Sequence, residues 1–364
     1  MKTLGVSTAT LLACSTAAFA GGLDRSGQGI GALFEDGNIV ELSFGSISPS
    51  VEGTFLGVVS SGNVGADYTQ SGLSLKMDLN PNVSFAFIID QPFGASVDYG
   101  NADAGYPIGG SSAEFRSTGL TLAGRYKFND NFSVHAGLRQ ISIDADVRIR
   151  QLTGATTPPA LYNANYASDS STGYLIGAAY ERPDIALRVA LTYNSAMDFS
   201  HATELQTAFG FVPVPNTEYT MPQTVNLDFQ TGVAANTLVF GSIRWAEWST
   251  TQINSFLYPG NPIVGYKEDT ISYSIGIGRK FSDKFSGAIS VGYEAANNNL
   301  ADNLAPTDGY TSIQVGGTYK ITDALELTGG VRYIMLGDAT TEGFGAEFAD
   351  NSALALGLSI GYRF

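Results

Sequence analysis

The last twelve residues, Ala353 to Phe364, alternate between large apolar side chains and small or polar ones. Successive side chains of a β-strand point to opposite faces, so this pattern predicts a strand with one apolar and one small or polar face. An apolar face that ends on an aromatic residue is typical of the closing strand of a bacterial outer-membrane barrel. That face is formed by Leu354, Leu356, Leu358, Ile360, Tyr362 and Phe364.

The same alternation recurs along the chain and predicts thirteen further strands before the closing one. These predicted strands are Asn38–Ile47, Gly72–Leu79, Asn82–Asp90, Gly119–Phe128, Phe132–Ile143, Gly173–Tyr180, Ile185–Tyr193, Thr224–Val233, Thr237–Trp245, Ile271–Phe281, Phe285–Tyr293, Tyr310–Tyr319 and Leu325–Leu336.

The connections between the predicted strands alternate in length. Six are tight turns rich in Asn, Asp, Pro and Ser, which suit turns because they bond to their own backbone or restrict it. Seven are longer, at about residues 48–71, 91–118, 144–172, 194–223, 246–270, 294–309 and 337–352. Short turns at one end and long loops at the other are typical of outer-membrane barrels, whose closure leaves no unpaired strand edge in lipid. We therefore predict an all-β fold: a transmembrane antiparallel up-and-down β-barrel of 14 strands with a short N-terminal plug segment.

Composition agrees with a barrel and excludes some other classes of protein. The chain is 44% hydrophobic and 15% charged, and past its first residues it has no run of about 18 apolar residues that could form a membrane helix. The formal net charge of −15 argues against a nucleic-acid partner, which would require basic patches. We expect the acidic residues to lie in solvated external loops and the barrel to contact outer-membrane lipid.

The N-terminus resembles a secretory signal. Residues 1–20 contain a basic start, a weak apolar stretch and an A-x-A cleavage site at residues 18–20. Cys14, the one cysteine, lies inside this segment. Lipid attachment at Cys14 is the alternative, but its poor lipobox favours cleavage after Ala20. We expect export to the cell outer membrane, a plug segment at residues 21–37, a barrel at residues 38–364, and recognition of Phe364 by the barrel-assembly machinery.

Residues that could perform bond chemistry are sparse. His135 alternates with apolar neighbours and should face the lumen, and His201 is expected in a loop without companions. The sequence shows no metal-ligand cluster, no catalytic triad and no cofactor motif, so we do not expect an enzyme.

Charged positions on the predicted inner face carry more information. Salt bridges that fill a wide barrel would account for them. Alternatively, an arginine could hold a substrate carboxylate, because its guanidinium offers paired donors. The candidates for that role are Arg125, Arg139 and Arg188.

Two of the long loops are unusually apolar for a sugar or ion porin. They either pack on one another or form a greasy capture groove. Residues 152–166 carry Leu152, Pro158, Pro159, Leu161, Tyr162 and Tyr166, and residues 204–222 carry Leu205, Phe209, Phe211, Val212, Val214, Tyr219 and Met221.

Several segments resemble the FadL family of outer-membrane long-chain fatty-acid transporters. The likeness covers essentially the whole mature chain, in matching order and spacing. It rests on Asp90–Ala95, Ser171–Tyr174, Pro183–Arg188, Tyr193–Ser195, Met221–Val225 and Arg244–Ser249, the last of which reads R-W-A-E-W-S.

The resemblance implies a 14-stranded barrel with a plug in the lumen, an apolar capture site between the third and fourth long loops, and a kinked third strand that opens a side port. Carried over, the capture residues would be Leu161, Tyr162, Leu205, Phe209, Phe211 and Val212, and the kink would lie at Pro92, Phe93 and Gly94. The plug is shorter than in the family and lacks its Asn-Pro-Ala motif, which leaves its gating role open.

These observations predict passive uptake of long-chain fatty acids or other hydrophobic small molecules, captured by the outer loops and released laterally through the wall. A water-filled diffusion porin is the alternative, and a barrel enzyme ranks below both. The sequence leaves open whether the cargo is a fatty acid, an aromatic hydrocarbon or a signalling lipid. We expect the barrel to be monomeric.

Overall fold

The computed structural model describes residues 23–151, 160–258 and 262–364. The predicted signal peptide, the first two residues of the predicted plug, and Leu152, Pro158 and Pro159 of the apolar loop lie outside the described residues.

Fourteen antiparallel strands form the wall, and each predicted strand has its counterpart. The ring closes where the first strand pairs with the last, from Ile39↔Arg363 to Ser50↔Ser352, so the predicted barrel is confirmed. The strands are β1 (Ile39–Ser50), β2 (Tyr68–Asn80), β3 (Val83–Asp90), β4 (Ser112–Lys127), β5 (Phe132–Gln151), β6 (Ala160–Arg182), β7 (Leu187–Asn194), β8 (Thr224–Ala234), β9 (Thr237–Ala246), β10 (Thr270–Lys280), β11 (Phe285–Glu294), β12 (Tyr310–Lys320), β13 (Leu325–Leu336) and β14 (Ser352–Arg363).

Shorter elements lie above and within the ring. A hairpin of Met197–Thr207 and Gly210–Met221 rises above β7 and β8, and Gly94–Asp98 continues β3 after a break. No helix in the described part of the chain is long and apolar enough to cross a membrane. The remaining elements are the short strands Gly53–Phe55, Val59–Ser60, Gln252–Ile253, Val264–Gly265, Ala339–Thr340 and Glu347–Phe348, and the 3₁₀ turns Gly31–Phe34, Pro183–Ile185 and Trp248–Thr250.

The two faces of the wall differ as the alternation predicts. On β14, Leu354, Leu356 and Leu358 are exposed on the outside, while Ala353 and Ala355 are buried on the inside. This row of exposed leucines is expected to contact lipid, because exposing so much apolar surface to water would be energetically unfavourable.

The long loops at residues 144–172 and 194–223 were predicted as irregular, and this prediction was wrong. Strands β5 and β6 continue through most of the first region, and the Met197–Met221 hairpin fills the second. In these extensions the polarity of the two faces is reversed. Ile143, Ala145 and Val147 are buried inside, whereas Asp144 and Asp146 point outward. Above the lipid, water lies outside the barrel, so the apolar side chains of these extensions point inward. They enclose a space that we call the apolar chamber, with Ile143, Ala145 and Val147 in its wall.

We predict that Leu358→Arg destabilises the barrel and Leu358→Phe does not. An arginine on the lipid face near the bilayer midplane costs about 2–4 kcal/mol, because its charge loses hydration. Denaturant titration of each variant folded into lipid vesicles measures the difference. Equal stability of the two variants would contradict a lipid-facing position for Leu358.

Candidate functional site

The third strand of the barrel is interrupted between Asp90 and Gly94. Its pairing with β4 stops at Asp90↔Gly119 and resumes at Gly94↔Arg116, so β3 carries one more residue than its partner across the break. Pro92 has no N–H to donate to a ladder. The Phe93 N–H instead donates to Ser117 Oγ at 2.9 Å, and the same hydroxyl donates to the Phe93 carbonyl at 2.6 Å. The interruption falls on the residues that the family resemblance marks as a kink.

Backbone pairing is also missing between β2 and β3, on the other side of this break, and we call this gap the thin part of the wall. The register between β2 and β3 ends at Leu73↔Ile89. Backbone pairing resumes where the Ala66 N–H donates to the Ser96 carbonyl at 3.5 Å and the Asp98 N–H donates to the Val64 carbonyl at 2.9 Å. Between these points the Gln91 side chain accepts a hydrogen bond from the Ser71 N–H at 3.4 Å. A side chain thus stands where a backbone ladder would otherwise close the wall.

The N-terminal segment, defined here as residues 23–37, covers the break from inside. The Gly94 N–H donates to the Leu23 carbonyl and the Arg25 N–H donates to the Pro92 carbonyl, both at 2.8 Å. The Arg25 guanidinium lies 3.8 Å from the ring centre of Tyr68. A Cβ on residue 94 would lie 2.5 Å from the Arg25 Cζ, so a larger residue there would have to displace the guanidinium.

Polar contacts attach the N-terminal segment to the opposite wall. Arg244 donates to both carboxylate oxygens of Asp24, at 2.9 and 2.8 Å. The Asn226 side chain donates to the Gly27 carbonyl at 3.0 Å, and Arg139 donates to the Gln28 carbonyl at 3.0 Å. Burial raises the pKa of Asp24, and the neighbouring Arg244 opposes that rise.

The far end of the segment is held by two cations. The guanidiniums of Arg125 and Arg188 both lie over the Phe34 ring, at 4.7 and 4.9 Å from its centre, and the ring is nearly perpendicular to that of His135. Cation–π contacts of this kind strengthen away from water. Glu35 pairs with Arg363 at 2.7 Å, which fixes the segment near the short-turn end of the barrel.

The three candidate arginines have different surroundings. Arg125 is buried and ion-paired with Glu181. Arg139 is buried and donates to Thr121, Asn194 and the Gln28 backbone. Arg188 contacts Phe34 and borders a cavity of about 340 Å³ between the segment and the wall. Charged residues that line this cavity include Asp24, Glu41, Asp228, Glu294 and Arg332.

Two smaller cavities lie inside the apolar chamber. One, of about 50 Å³, is lined by Leu23, Phe115, Val147 and Tyr219, among others. The other, of about 30 Å³, is lined by Leu23, Arg25, Val64 and Leu304, among others. Leu23 borders both, so the outer end of the N-terminal segment forms the floor of the chamber.

His201 was predicted to lie in a loop without companions, and this was wrong. It lies on a strand, its ring is nearly parallel to the neighbouring rings of Phe199 and Tyr219, and it bonds to the Ala167 carbonyl and the Tyr219 hydroxyl at 2.8 Å each. The signal was present in the sequence, since Met197 to Leu205 alternates, but with its apolar residues on the inner parity.

The structure places the predicted capture residues at different depths. Leu205 is buried in the chamber wall, and the Tyr162 hydroxyl lies 2.5 Å from Ser255 Oγ. Phe209 is 98% exposed at the tip of the hairpin. Leu161, Phe211 and Val212 are also exposed. In the strand register, Leu161 lies opposite the exposed Arg150 and Phe211 opposite the exposed Gln206, on the outer face. Tyr162 and Leu205 lie on the inner face, so the six residues form no single groove. Among the described residues, no group of three or more His, Cys, Asp or Glu could hold a metal ion.

We predict that Arg244→Met loosens the N-terminal segment. Asp24 would be left buried without its cation, at a cost of about 3–5 kcal/mol, so local opening should increase. Hydrogen–deuterium exchange of a peptide that covers residues 23–34 should rise. Arg279→Met, which removes an exposed arginine on β10, is the matched control; equal exchange in both variants would contradict the proposed anchoring.

Comparison with known proteins identifies a family and several similar structures. A family model described as "Outer membrane protein transport protein (OMPP1/FadL/TodX)" matches residues 38–364. A Pseudomonas aeruginosa FadL homologue is 16% identical, with 97% of this chain and 98% of that chain covered and a TM-score of 0.77.

Two further solved structures are similar. The Pseudomonas putida toluene transporter TodX is 13% identical over 90% of each chain, with a TM-score of 0.67. The Ralstonia pickettii toluene transporter TbuX is 13% identical over 91% of this chain and 90% of that chain, with a TM-score of 0.62. At these identities the likeness shows the fold alone. Among curated proteins, none matches the sequence.

Proposed function

The chain belongs to the OMPP1/FadL/TodX family of outer-membrane transport proteins, and from that premise we propose passive uptake of long-chain fatty acids or similar hydrophobic small molecules. The family consists of channels for hydrophobic substrates and not of enzymes. The observation that carries the proposal is the reversal of polarity along β5 and the hairpin, which lines the outer part of the barrel with apolar side chains. Such a lining favours an apolar cargo over ions or sugars.

Capture begins at the outer loops in this proposal. Phe209, Phe211 and Val212 on the hairpin and Leu161 on β6 are exposed and would make the first contact with cargo. Tyr162 and Leu205 pack in the apolar cluster of the chamber and would receive the cargo next. Burying a large apolar side chain against cargo contributes about 1.5–3 kcal/mol, so a few such contacts would hold a fatty chain or an aromatic ring.

The chamber must open for cargo to pass. Its apolar cavity measures about 50 Å³. A cavity of about 150 Å³ is known to admit benzene, so neither a ring nor a long chain fits until lining side chains move. We therefore describe a closed channel that opens transiently, with the N-terminal segment acting as a reduced plug.

Release follows through the wall beside Pro92, Phe93 and Gly94. An oily molecule that leaves into hydrocarbon keeps its apolar surface out of water, at about 25 cal/mol per Å². The break at these residues and the thin wall toward Ser71 support a lateral outlet at this point.

A water-filled diffusion porin remains the alternative function for this barrel. It would need an open lumen, whereas the N-terminal segment occupies the lumen through the Asp24–Arg244 ion pair and the Phe34 contacts. The arrangement therefore favours a hydrophobic route.

The remaining features of the proposal concern cargo and assembly. Of the three arginines considered from the sequence, Arg188 borders the large cavity, whereas Arg125 and Arg139 already hold protein partners. We also propose that residues 1–20 direct export, that the barrel-assembly machinery recognises Phe364, and that the barrel is monomeric. Two similar structures are named toluene transporters, so an aromatic hydrocarbon stands beside a fatty acid as cargo.

We predict that Phe209→Asp and Phe211→Asp each lower fatty-acid uptake. Each loses the contact energy of an aromatic ring, and the expected fall in capture is roughly tenfold. Import of radiolabelled oleate into a strain that lacks its own transporter measures the effect. Gln206→Asp adds the same charge at the position paired with Phe211 and should leave uptake unchanged; normal uptake by both phenylalanine variants would refute the capture surface.

We predict that a disulfide between cysteines at Ser71 and Gln91 blocks lateral release. It would staple the wall at its thin point, and reduction should restore uptake. A disulfide between cysteines at Met77 and Phe85, which face each other where the ladder is continuous, serves as the control and should have no effect. Full oleate import through the oxidised Ser71–Gln91 pair would argue against an outlet there.

A further inference from the structure

Arg25 is a buried cation whose charge has no anionic partner in the described structure. Its side chain is 9% exposed, and among the described residues no carboxylate lies within ion-pair distance of it. Its guanidinium contacts the Tyr68 ring and the backbone of Gly94. Glu114, whose charge acts on Arg25 from β4, is already paired with Arg116 at 2.8 Å.

A buried guanidinium without an anion is costly, because it loses hydration and gains little in return. Two arginines that hold the N-terminal segment have such partners: Arg244 binds Asp24, and Arg363 binds Glu35. Arg139 has no ion pair, but its guanidinium donates to Thr121, Asn194 and the Gln28 carbonyl. Arg25 contributes its backbone to the closure of the wall, which any residue could do. The charge of its side chain is therefore unexplained by the fold.

The cavity beside Arg25 is lined mostly by apolar side chains. Those that border this 30 Å³ cavity include Leu23, Val64 and Leu304. Asp24 also borders this cavity, but both of its carboxylate oxygens accept hydrogen bonds from Arg244. Leu23, Ala95, Tyr266 and Leu304 also border the 50 Å³ apolar cavity, so the two spaces are neighbours. The two neighbouring cavities therefore form an apolar space that ends at the guanidinium of Arg25, beside the break in β3.

We propose that Arg25 is the residue that selects cargo by its head group: it binds the carboxylate of an amphiphilic molecule whose apolar tail lies in the chamber. This inference rests on the proposed function and narrows it from hydrophobic molecules in general to long-chain carboxylates. A guanidinium offers paired donors that a carboxylate accepts. A neutral aromatic hydrocarbon would leave Arg25 unpaired and would gain nothing from it.

The position of Arg25 also places the head group at the proposed outlet. Its backbone N–H bonds to the Pro92 carbonyl, and its guanidinium fills the space that a Cβ on residue 94 would need. A carboxylate bound there would lie between the chamber and the thin part of the wall. Gly94 therefore sets the room available to the guanidinium, and Gly94→Ala should displace it.

The test measures binding of three ligands to the full-length protein in lipid nanodiscs. Palmitate, hexadecanol and toluene compete with a fluorescent fatty acid for the wild type, Arg25→Gln, Arg25→Lys and the matched control Arg279→Gln. We expect Arg25→Gln to weaken palmitate binding about ten- to a hundredfold, the range for a charge-assisted hydrogen bond, and to leave hexadecanol unchanged. Arg25→Lys should keep most of the preference for palmitate, and Gly94→Ala should reduce it.

A second readout separates binding from a structural role. The carboxylate stretch of ¹³C-labelled palmitate, followed by infrared spectroscopy, should shift between the wild type and Arg25→Gln. If the wild type binds palmitate and hexadecanol equally and Arg25→Gln changes neither, Arg25 does not select the head group, and hydrophobic transport still stands. If the wild type binds none of the three ligands, the proposed function fails as well.

Discussion

Backbone hydrogen bonding in a medium without water governs this molecule. Each peptide group inside the bilayer needs a protein partner, because lipid supplies none. Fourteen strands meet that requirement by pairing in a ring that closes between Ile39 and Arg363. The exception lies at residues 91–93, where β3 breaks. There Ser117, Gln91 and the backbone of residues 23–25 supply bonds that a neighbouring strand would normally provide.

The change from lipid to water outside the barrel also explains why the polarity of the two faces reverses along β5 and β6. Below the membrane surface, apolar residues face lipid and polar residues face the lumen. Above it, water lies outside, and Ile143 and Val147 turn their side chains into the interior. The barrel therefore has a charged, segment-filled lower half and an apolar upper half. The N-terminal segment lies at the junction, with Leu23 in the chamber and Asp24 paired to the lumen wall.

The strands that contact lipid could be predicted from the sequence. They alternate large apolar residues with small or polar ones in successive hairpins, and this pattern is typical of a lipid-facing barrel wall. All fourteen strands were predicted for this reason. The extensions of β5 and β6 and the Met197–Met221 hairpin were not, because their outward residues are Asp, Ser and Glu, which look like loop residues. The stack around His201 was hidden in the same way.

The site was partly accessible from sequence. Pro92 and Gly94 could be marked because proline and glycine interrupt strands for reasons that are local. Arg25 could not, because its importance depends on residues distant in sequence: it contacts Tyr68 and Gly94, and among the described residues it has no ion pair. Likewise, only the structure distinguishes the engaged Arg139 from Arg188, which borders a cavity.

The central claim is that an oily path, closed to water by the N-terminal segment, passes through this barrel. Single-channel recording in planar bilayers tests it most directly, with the wild type compared with a variant that lacks residues 23–34. A closed hydrophobic channel predicts little steady ion current in the wild type and a large steady current once the segment is removed. A large, steady current through the intact protein would contradict the account and favour a water-filled pore.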